Sequence, residues 1–274
     1  MILPRSYLFV PGHRPERYAK ACAAGAGAVI VDLEDAVPPE AKLAARAALA
    51  AWLSPALPVL VRINAVGSEY FDADLELCRL PGVAGIVLPK ADDAAAIEHI
   101  ARHLPQPVPV LPLIETALGL WNAEAVAHAT QVQRLIFGSI DFQLDTGIEG
   151  EDEELLFARS RLVLVSRVCG LAAPVDGVSA VIDDAAAVTA DAQRARRLGF
   201  GAKLCIHPQQ VAPVHAAFAP SAAELAWARR VVAAAEASGG AAVALDGRMV
   251  DLPVILKARD MLARTASANE RTPQ

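Results

Sequence analysis

The sequence predicts an α/β fold: a closed (β/α)8 barrel followed by a C-terminal extension of helices and a hairpin. Three observations carry this prediction. The chain has 274 residues, a length typical of one such barrel. Short runs that are apolar on both faces alternate with helical patterns eight times, as in a parallel sheet covered all round. No GxGxxG motif supports the alternative, an open doubly wound sheet. The TIM-barrel fold is therefore favoured.

Each predicted strand is an apolar run that ends in or near Gly, Pro or a charged residue, and several of the predicted helices begin with Pro, Asp or Thr. The strands are predicted at 7–12, 28–34, 59–64, 85–90, 110–116, 135–141, 173–178 and 202–208. The helices are predicted at 15–24, 39–52, 71–79, 92–103, 116–129, 152–169, 183–198 and 209–218.

The barrel repeat ends at Phe218, so we predict two domains, 1–218 and 219–274. Ser221 with Glu224 three residues later predicts a capped helix over 221–238. Asp246-Gly247 predicts the turn of a short hairpin, before a last helix at 253–264 and a mobile polar tail at 265–274. We expect this extension to cover the barrel mouth or the active site of a neighbouring subunit.

Composition excludes several classes of protein. The net charge is −6 and no basic stripe is visible, which argues against a nucleic-acid partner. No continuous apolar stretch suggests a signal peptide or a membrane span. The four cysteines are scattered without metal-site spacing, as expected of reduced thiols in a cytoplasmic protein.

Polar residues stand where the predicted strands end, and the barrel fold would bring them to one mouth. Glu115 and Asp141 follow the apolar strands five and six, where an uncompensated carboxylate is costly. Adjacent strands lie about 4.8 Å apart, so both side chains can converge on one cation. Two carboxylates with waters and a chelating substrate suit Mg²⁺. The alternative is that these residues only cap a helix and a loop.

Arg62 lies inside an apolar strand, and its planar fork suits a carboxylate or an enolate oxygen. An internal salt bridge to Glu34 or Asp35 is the alternative, and the two roles are compatible. Lys90 and Lys203 suggest an alternative mechanism, that of a Schiff-base aldolase. In that mechanism Glu115 and Asp141 would have no role.

The chain resembles the citrate lyase β-subunit-like family, which also contains malyl-CoA and citramalyl-CoA lyases. The resemblance runs from about Arg5 to the last helix. Its motifs are Arg5-Ser-Tyr-Leu-Phe-Val-Pro-Gly12 with Lys20, Asp32-Leu-Glu-Asp-Ala-Val37 with Lys42 and Arg46, Val61-Arg-Ile-Asn64, Leu88-Pro-Lys90, Pro112-Leu-Ile-Glu-Thr116, Gly138-Ser-Ile-Asp141 with Asp145, Asp176-Gly-Val178 and Cys205-Ile-His-Pro208.

The resemblance implies a Mg²⁺-dependent carbon–carbon lyase that cleaves a 3-hydroxyacyl-CoA, such as citryl-, malyl- or citramalyl-CoA, into an acyl-CoA and a 2-oxo acid. It implies that Glu115 and Asp141 hold the metal. The segment Gly247-Arg-Met-Val-Asp251 would supply Asp251 as an acid/base in trans, within a trimer or hexamer. The catalytic candidates are Arg62, Asp251 and Glu34. The substrate-binding candidates are Arg62, Glu115, Asp35, Lys90, Lys20 and Arg14, the last two with Arg17 as a patch for CoA phosphates.

Three departures from the family pattern are Gly27, Ala202 and Asp92, and the last, which replaces a common Glu, bears on substrate identity. The alternatives are a citrate lyase β subunit acting on an acyl-carrier-protein thioester, a metal-dependent aldolase on free 2-oxo acids, and a non-catalytic assembly protein.

Overall fold

The computed structural model describes residues 3–239 and 241–269. Eight parallel strands form a closed barrel in which β1 pairs with both β2 and β8. This confirms the predicted (β/α)8 fold. The strands are β1 Ser6–Pro11, β2 Ala28–Asp32, β3 Val59–Arg62, β4 Val83–Leu88, β5 Val110–Ile114, β6 Ile136–Phe137, β7 Val175–Asp176 and β8 Ala202–Cys205.

Helices follow the strands, but several differ from prediction, and Ser139–Thr146 is a helix that the sequence did not predict. The segment 116–129 is divided at Asn122 into two short helices, and the helix predicted from residue 152 begins at Leu156. The helices of the barrel are α1 Tyr18–Cys22, α2 Lys42–Trp52, α3 Phe71–Leu77, α4 Ala94–His103, α5 Ala117–Trp121, α6 Ala123–His128, α7 Ser139–Thr146, α8 Leu156–Val168, α9 Ala185–Leu198 and α10 Val211–Phe218. Single 3-10 turns lie at Pro15–Arg17, Pro39–Ala41 and Pro208–Gln210.

The core has two layers, as alternation along the strands dictates. Inward-facing side chains such as Ile30, Leu111 and Ile136 fill the barrel. Their neighbours along the strands, such as Val31 and Val110, pack against the surrounding helices. The barrel interior is therefore filled with side chains, and the ends of the strands are left to form a site.

The sixth strand is shorter than predicted, and this moves Asp141. The predicted strand ran from 135 to 141, whereas β6 ends at Phe137 and α7 begins at Ser139, after Gly138. Asp141 therefore lies in the first turn of a helix. A carboxylate is favourable there because backbone N–H groups at a helix N-terminus are unpaired and carry partial positive charge.

The chain divides after Phe218 into two compact units. The second contains α11 Ala222–Ala237, the antiparallel pair β9 Val243–Leu245 and β10 Arg248–Val250, and α12 Leu252–Asn269. Ser221 and Glu224 form the predicted capping box. Asp246 and Gly247 both have positive φ, as a tight hairpin turn requires.

The last helix is longer than predicted. It continues through Asn269, so the part of the predicted mobile tail at 265–269 is helical, and 270–274 lie outside the described residues. Among the described helices, none combines the length and the apolar character needed to cross a bilayer.

Candidate active site

Arg62 is held at the end of β3 by carboxylates from the neighbouring strand. Asp32 is its register partner on β2, and the Arg62 Nε and Nη2 atoms donate to the two Asp32 oxygens at 2.7 and 2.6 Å. Nη1 lies 3.1 Å from Glu34 and 3.7 Å from Asp35. The guanidinium and carboxylate groups are both planar, and the two parallel hydrogen bonds between them fix the plane of the guanidinium.

The main partner of Arg62 is Asp32, which was not predicted from the sequence. Both residues are the last of their strands, and adjacent parallel strands in register bring such residues side by side. This pairing depends on strand register, which a single sequence does not specify, and Asp32 stands at the end of an apolar run. Glu34 and Asp35, the expected partners, make the longer contacts.

Glu115 is a buried carboxylate with one unused oxygen. It directly follows β5 and is 1% exposed. Its Oε1 accepts the Lys90 backbone N–H at 2.8 Å, whereas Oε2 has no hydrogen-bond partner among the described residues. Burial, and then the charge of nearby Glu34, raise the pKa of Glu115 to about 8. Such a group is poised to accept a cation.

Gly138 leaves room for that carboxylate. A Cβ atom at this position would lie 2.5 Å from the Glu115 Cβ and 2.6 Å from its Oε2, so a larger residue would displace the side chain. Three residues later Asp141 faces the same space, and its charge contributes to the raised pKa of Glu115. The Gly138-Ser-Ile-Asp141 segment thus both makes room for one carboxylate and supplies the second.

These groups line one cavity of about 350 Å³ at the barrel mouth. Of the predicted site residues, the structure brings together Arg62, Asp35, Glu115 and Asp141 on its wall. Asp32, Phe9 and an apolar set from the other side complete it. Phe9 places its ring centroid 5.0 Å from the Arg62 guanidinium carbon, which covers one face of that cation.

Glu34 and Lys90 support the wall but do not line it. The Lys90 Nζ donates to Glu34 at 2.6 Å, and Glu34 in turn contacts Arg62. Lys90 has a φ of +46°, and in this left-handed conformation its N–H reaches Glu115. Glu34 therefore lies behind Arg62 and is absent from the cavity lining, and its catalytic role stays a prediction.

The lysines do not fit a Schiff-base mechanism. Burial lowers the pKa of Lys90, but the hydrogen bond and charge of Glu34 outweigh it, so the pKa is raised overall. An amine nucleophile needs the opposite shift. Lys203 is 1% exposed, donates to the Gly177 carbonyl at 2.7 Å and lies 2.8 Å from Asp191. Lys203 is therefore a buried structural cation, and Lys90 is an exposed cation that pairs with Glu34.

Lys20 and Arg14 lie outside the cavity lined by Arg62. Lys20 lines a second cavity of about 320 Å³ with Arg17 and His207. Arg14 instead pairs with exposed Glu16 at 2.6 Å. His207 caps the 3-10 turn at Pro208–Gln210.

Asp251 stands at the start of α12 in the second unit. Its Oδ1 accepts the Val254 N–H at 3.5 Å and its carbonyl accepts the Ile255 N–H at 3.0 Å. These contacts define a helix cap, and the side chain remains half-buried. A catalytic role for Asp251 stays a prediction.

Asp92, the departure near the mouth, is tied to local structure. Its side chain accepts a hydrogen bond from the Thr116 hydroxyl, and its carbonyl accepts one from Asn122 at 2.9 Å. These bonds anchor the start of α5, whose N-cap is Thr116. The shorter acid therefore serves the loop that follows Glu115.

The donor set fits Mg²⁺. A hard cation takes oxygen ligands and keeps several waters, so one or two carboxylates suffice. Within residues 3–239 and 241–269 no cluster of three or more His, Cys, Asp or Glu side chains forms a metal site, which leaves the two-carboxylate arrangement. Glu115, with its unpaired buried oxygen, and Asp141 are the residues that could hold the ion.

The chain belongs to the HpcH/HpaI aldolase/citrate lyase family, whose model matches residues 5–208. The match covers every motif at the barrel mouth. A citrate lyase subunit beta-like protein of Deinococcus radiodurans is 39% identical over 96% of this chain and 98% of its own length. A (3S)-malyl-CoA thioesterase of Cereibacter sphaeroides is 33% identical over 95% of this chain and 94% of its own.

Solved structures agree with this membership. The crystal structure of CitE from Mycobacterium tuberculosis with magnesium, acetoacetate and coenzyme A has a TM-score of 0.87 and 37% identity, covering 96% of this chain and 98% of that one. Two further structures of the M. tuberculosis protein hold magnesium with oxaloacetate (TM-score 0.71, 34% identity, 80% and 98% covered) or with pyruvate (0.77, 32%, 95% and 98%). Magnesium, the cofactor predicted from the sequence, is therefore present in solved relatives.

Proposed function

We propose that this protein is a Mg²⁺-dependent carbon–carbon lyase that reversibly converts a 3-hydroxyacyl-CoA into an acyl-CoA and a 2-oxo acid. The observation that carries the proposal is the buried, unpaired Glu115 oxygen beside Asp141, in the cavity that Arg62 also lines. The family membership and the magnesium complexes of relatives support it. Glu115 and Asp141 would hold the ion, which supplies a Lewis acid and a template for the substrate's oxygens.

Arg62 would stabilise the charge that develops during cleavage. When the carbon–carbon bond breaks, its electron pair moves onto the thioester as an enolate. A guanidinium that is already oriented towards that oxygen stabilises the enolate more than one that must first reorient. Asp32 holds Arg62 by two hydrogen bonds and Phe9 covers one of its faces, so the donor is fixed before substrate binds.

Proton transfer completes the reaction. A base takes the hydroxyl proton as the carbon–carbon bond breaks, and an acid returns a proton to the enolate carbon, giving the acyl-CoA. We assign Asp251 to this task, acting on the site of a neighbouring subunit in a homotrimer or hexamer. The Gly247-Arg-Met-Val-Asp251 motif, which the family resemblance links to this role, supports the assignment, and Asp251 stands between β10 and α12.

The second cavity suits the nucleotide part of CoA. Lys20 and Arg17 line it, and phosphates favour lysine and arginine. It shares Phe9 and Ile206 with the cavity that contains Arg62, so the two cavities are adjacent. Because free CoA, unlike an acyl-carrier protein, presents its phosphates directly, these cations favour the CoA substrate over a carrier-bound thioester.

One relative favours a second candidate, thioester hydrolysis. The C. sphaeroides relative is named a malyl-CoA thioesterase. Water would attack the thioester carbonyl carbon, the carbon–sulfur bond would break and CoA would leave as the thiol, giving free CoA and the hydroxy acid.

Product analysis distinguishes the two reactions. The protein is incubated with Mg²⁺ and malyl-, citramalyl- or citryl-CoA. The lyase gives acetyl-CoA and a 2-oxo acid in equal amounts, whereas a thioesterase gives free CoA without any oxo acid. Absence of oxo acid from all three substrates would reject the lyase proposal.

A further inference from the structure

The cavity that contains Arg62 has a charged half and an apolar half. Asp32, Arg62, Glu115 and Asp141 come from β2, β3, the end of β5 and α7. The opposite side is supplied mainly by β1, β8 and the segments that follow β7 and β8. Its lining side chains are Phe9, Val178, Leu204 and Ile206, with Leu113 of β5 at the junction.

The charged half offers no cation to a second substrate carboxylate. Among the described residues that line the cavity, Arg62 is the one cation, against the carboxylates of Asp32, Asp35, Glu115 and Asp141. Arg62 already donates twice to Asp32 and lies 3.1 Å from Glu34. Its remaining N–H groups serve the thioester oxygen in the proposed reaction. A divalent ion would still leave the lining with a net negative formal charge.

We propose that this cavity selects 2-oxo acids whose second substituent is hydrogen or a short alkyl group, and rejects those that carry a second carboxylate. The inference rests on the proposed function, since the first carboxylate and the oxo group are taken to bind the metal. The second substituent then meets the wall formed by Phe9, Val178 and Ile206. An alkyl group gains contact there, whereas a carboxylate meets no side-chain hydrogen-bond donor on that wall.

The thioesters this enzyme cleaves are therefore of the malyl and citramalyl type, which release glyoxylate or pyruvate. Citryl-CoA, which releases oxaloacetate, would be a poor substrate. Family membership does not decide this, because crystal structures of the M. tuberculosis relative contain pyruvate or oxaloacetate.

Direct binding tests the inference without turnover. Isothermal titration of the full chain in saturating Mg²⁺ compares pyruvate, freshly dissolved oxaloacetate and 4-methyl-2-oxopentanoate, whose branched end matches the shape of the second carboxylate without its charge. We expect oxaloacetate to bind at least about tenfold more weakly than either of the other acids, the loss expected of an unpaired charge.

Ile206 provides a matched pair of variants. It lies at the rim and is 41% exposed, so a longer side chain can be accommodated. Ile206→Lys should reduce the ratio of the oxaloacetate and pyruvate dissociation constants at least fivefold. Ile206→Met, whose side chain is about as long as lysine but uncharged, should leave that ratio unchanged.

The outcomes separate the two proposals. Equal binding of pyruvate and oxaloacetate overturns the selectivity while the lyase proposal stands. Equal rejection of oxaloacetate and 4-methyl-2-oxopentanoate means that size excludes them, which also overturns the selectivity by charge. If none of the three acids binds, the oxo-acid site itself is wrong and both proposals fail.

Discussion

Glu115 is the residue on which the proposed metal site depends most. An apolar strand buries it, Gly138 makes room for it, and the Lys90 N–H satisfies one of its oxygens. The other oxygen is buried without a partner in the described structure, an arrangement that is costly unless something binds there. A cation bound to this oxygen would remove that cost, so the arrangement favours an occupied metal site.

The first prediction concerns the stability of the metal-free protein. Burial and the charge of Glu34 raise the pKa of Glu115 from 4.5 to about 8. Between these two values the folded protein keeps a proton that the unfolded chain has lost, so the free energy of unfolding should fall as the pH rises. Glu115→Gln should remove this part of the pH dependence. Thermal unfolding with EDTA from pH 5 to 8 measures it.

The Glu115→Gln variant can also be tested by its response to magnesium. Mg²⁺ should raise the melting temperature of the wild type and leave those of Glu115→Gln and Asp141→Asn unchanged, because a ligand stabilises only the state that binds it. Both variants should also lose metal-dependent turnover. Glu153→Gln, an exposed acid, serves as the control and should behave as the wild type. A normal magnesium response in Glu115→Gln would contradict the metal assignment.

At the scale of elements, the loop after β2 is fixed by a lysine from the next helix. Lys42, near the start of α2, donates to the Leu33 and Glu34 carbonyls at 2.8 and 2.9 Å and to the Asn64 side chain at 2.7 Å. Asn64 is itself bonded to Asp74 of α3. This buried network sets the position of Glu34 and, through it, of Arg62.

Removal of the Lys42 ammonium should disturb that loop. Lys42→Met leaves buried acceptors unpaired, which costs about 2 kcal/mol of unfolding free energy. We also expect kcat to fall while the affinity for Mg²⁺ stays near normal, since Glu115 and Asp141 lie on other elements. Guanidinium unfolding and steady-state kinetics measure both. Lys257→Met, at an exposed position of α12, is the control. Unchanged kcat in Lys42→Met would rule out a positioning role.

The strands and helices also show which features of the site could be predicted from the sequence. Continuous apolar runs predict the barrel strands, and Glu115 was placed correctly because β5 is apolar up to that residue. Asp141 was assigned to a strand end because Ser139 and Ile140 extend an apolar run, whereas the chain turns into α7 after Gly138. Asp32 was missed because its pairing with Arg62 depends on strand register, which a single sequence does not specify.

At the scale of the whole molecule, the second unit needs a role that the barrel repeat does not explain. It has its own small core, in which Val231, Val250 and Ile255 pack together. Val250 directly precedes Asp251, so this core fixes the residue that we assign to proton transfer. The assignment to a neighbouring subunit's site was made from the sequence motif, and it remains a proposal.

Mixing two inactive variants tests action between subunits. Arg62→Ala and Asp251→Asn proteins are unfolded together, refolded as mixed oligomers and assayed. If each site combines Arg62 of one chain with Asp251 of another, random mixing should restore about a quarter of wild-type activity, because half of each contribution is intact. The separately refolded variants are the controls. Mixed oligomers that stay inactive would exclude sharing of the site.

A crystal structure of this protein with Mg²⁺ and pyruvate would test whether Glu115 and Asp141 jointly hold a divalent cation at the barrel mouth. We expect one ion bonded to an oxygen of each carboxylate and to the pyruvate oxygens, with the pyruvate methyl group against Phe9, Val178 or Ile206. Carboxylates that point apart, or that pair with arginine and leave no ion between them, would contradict it.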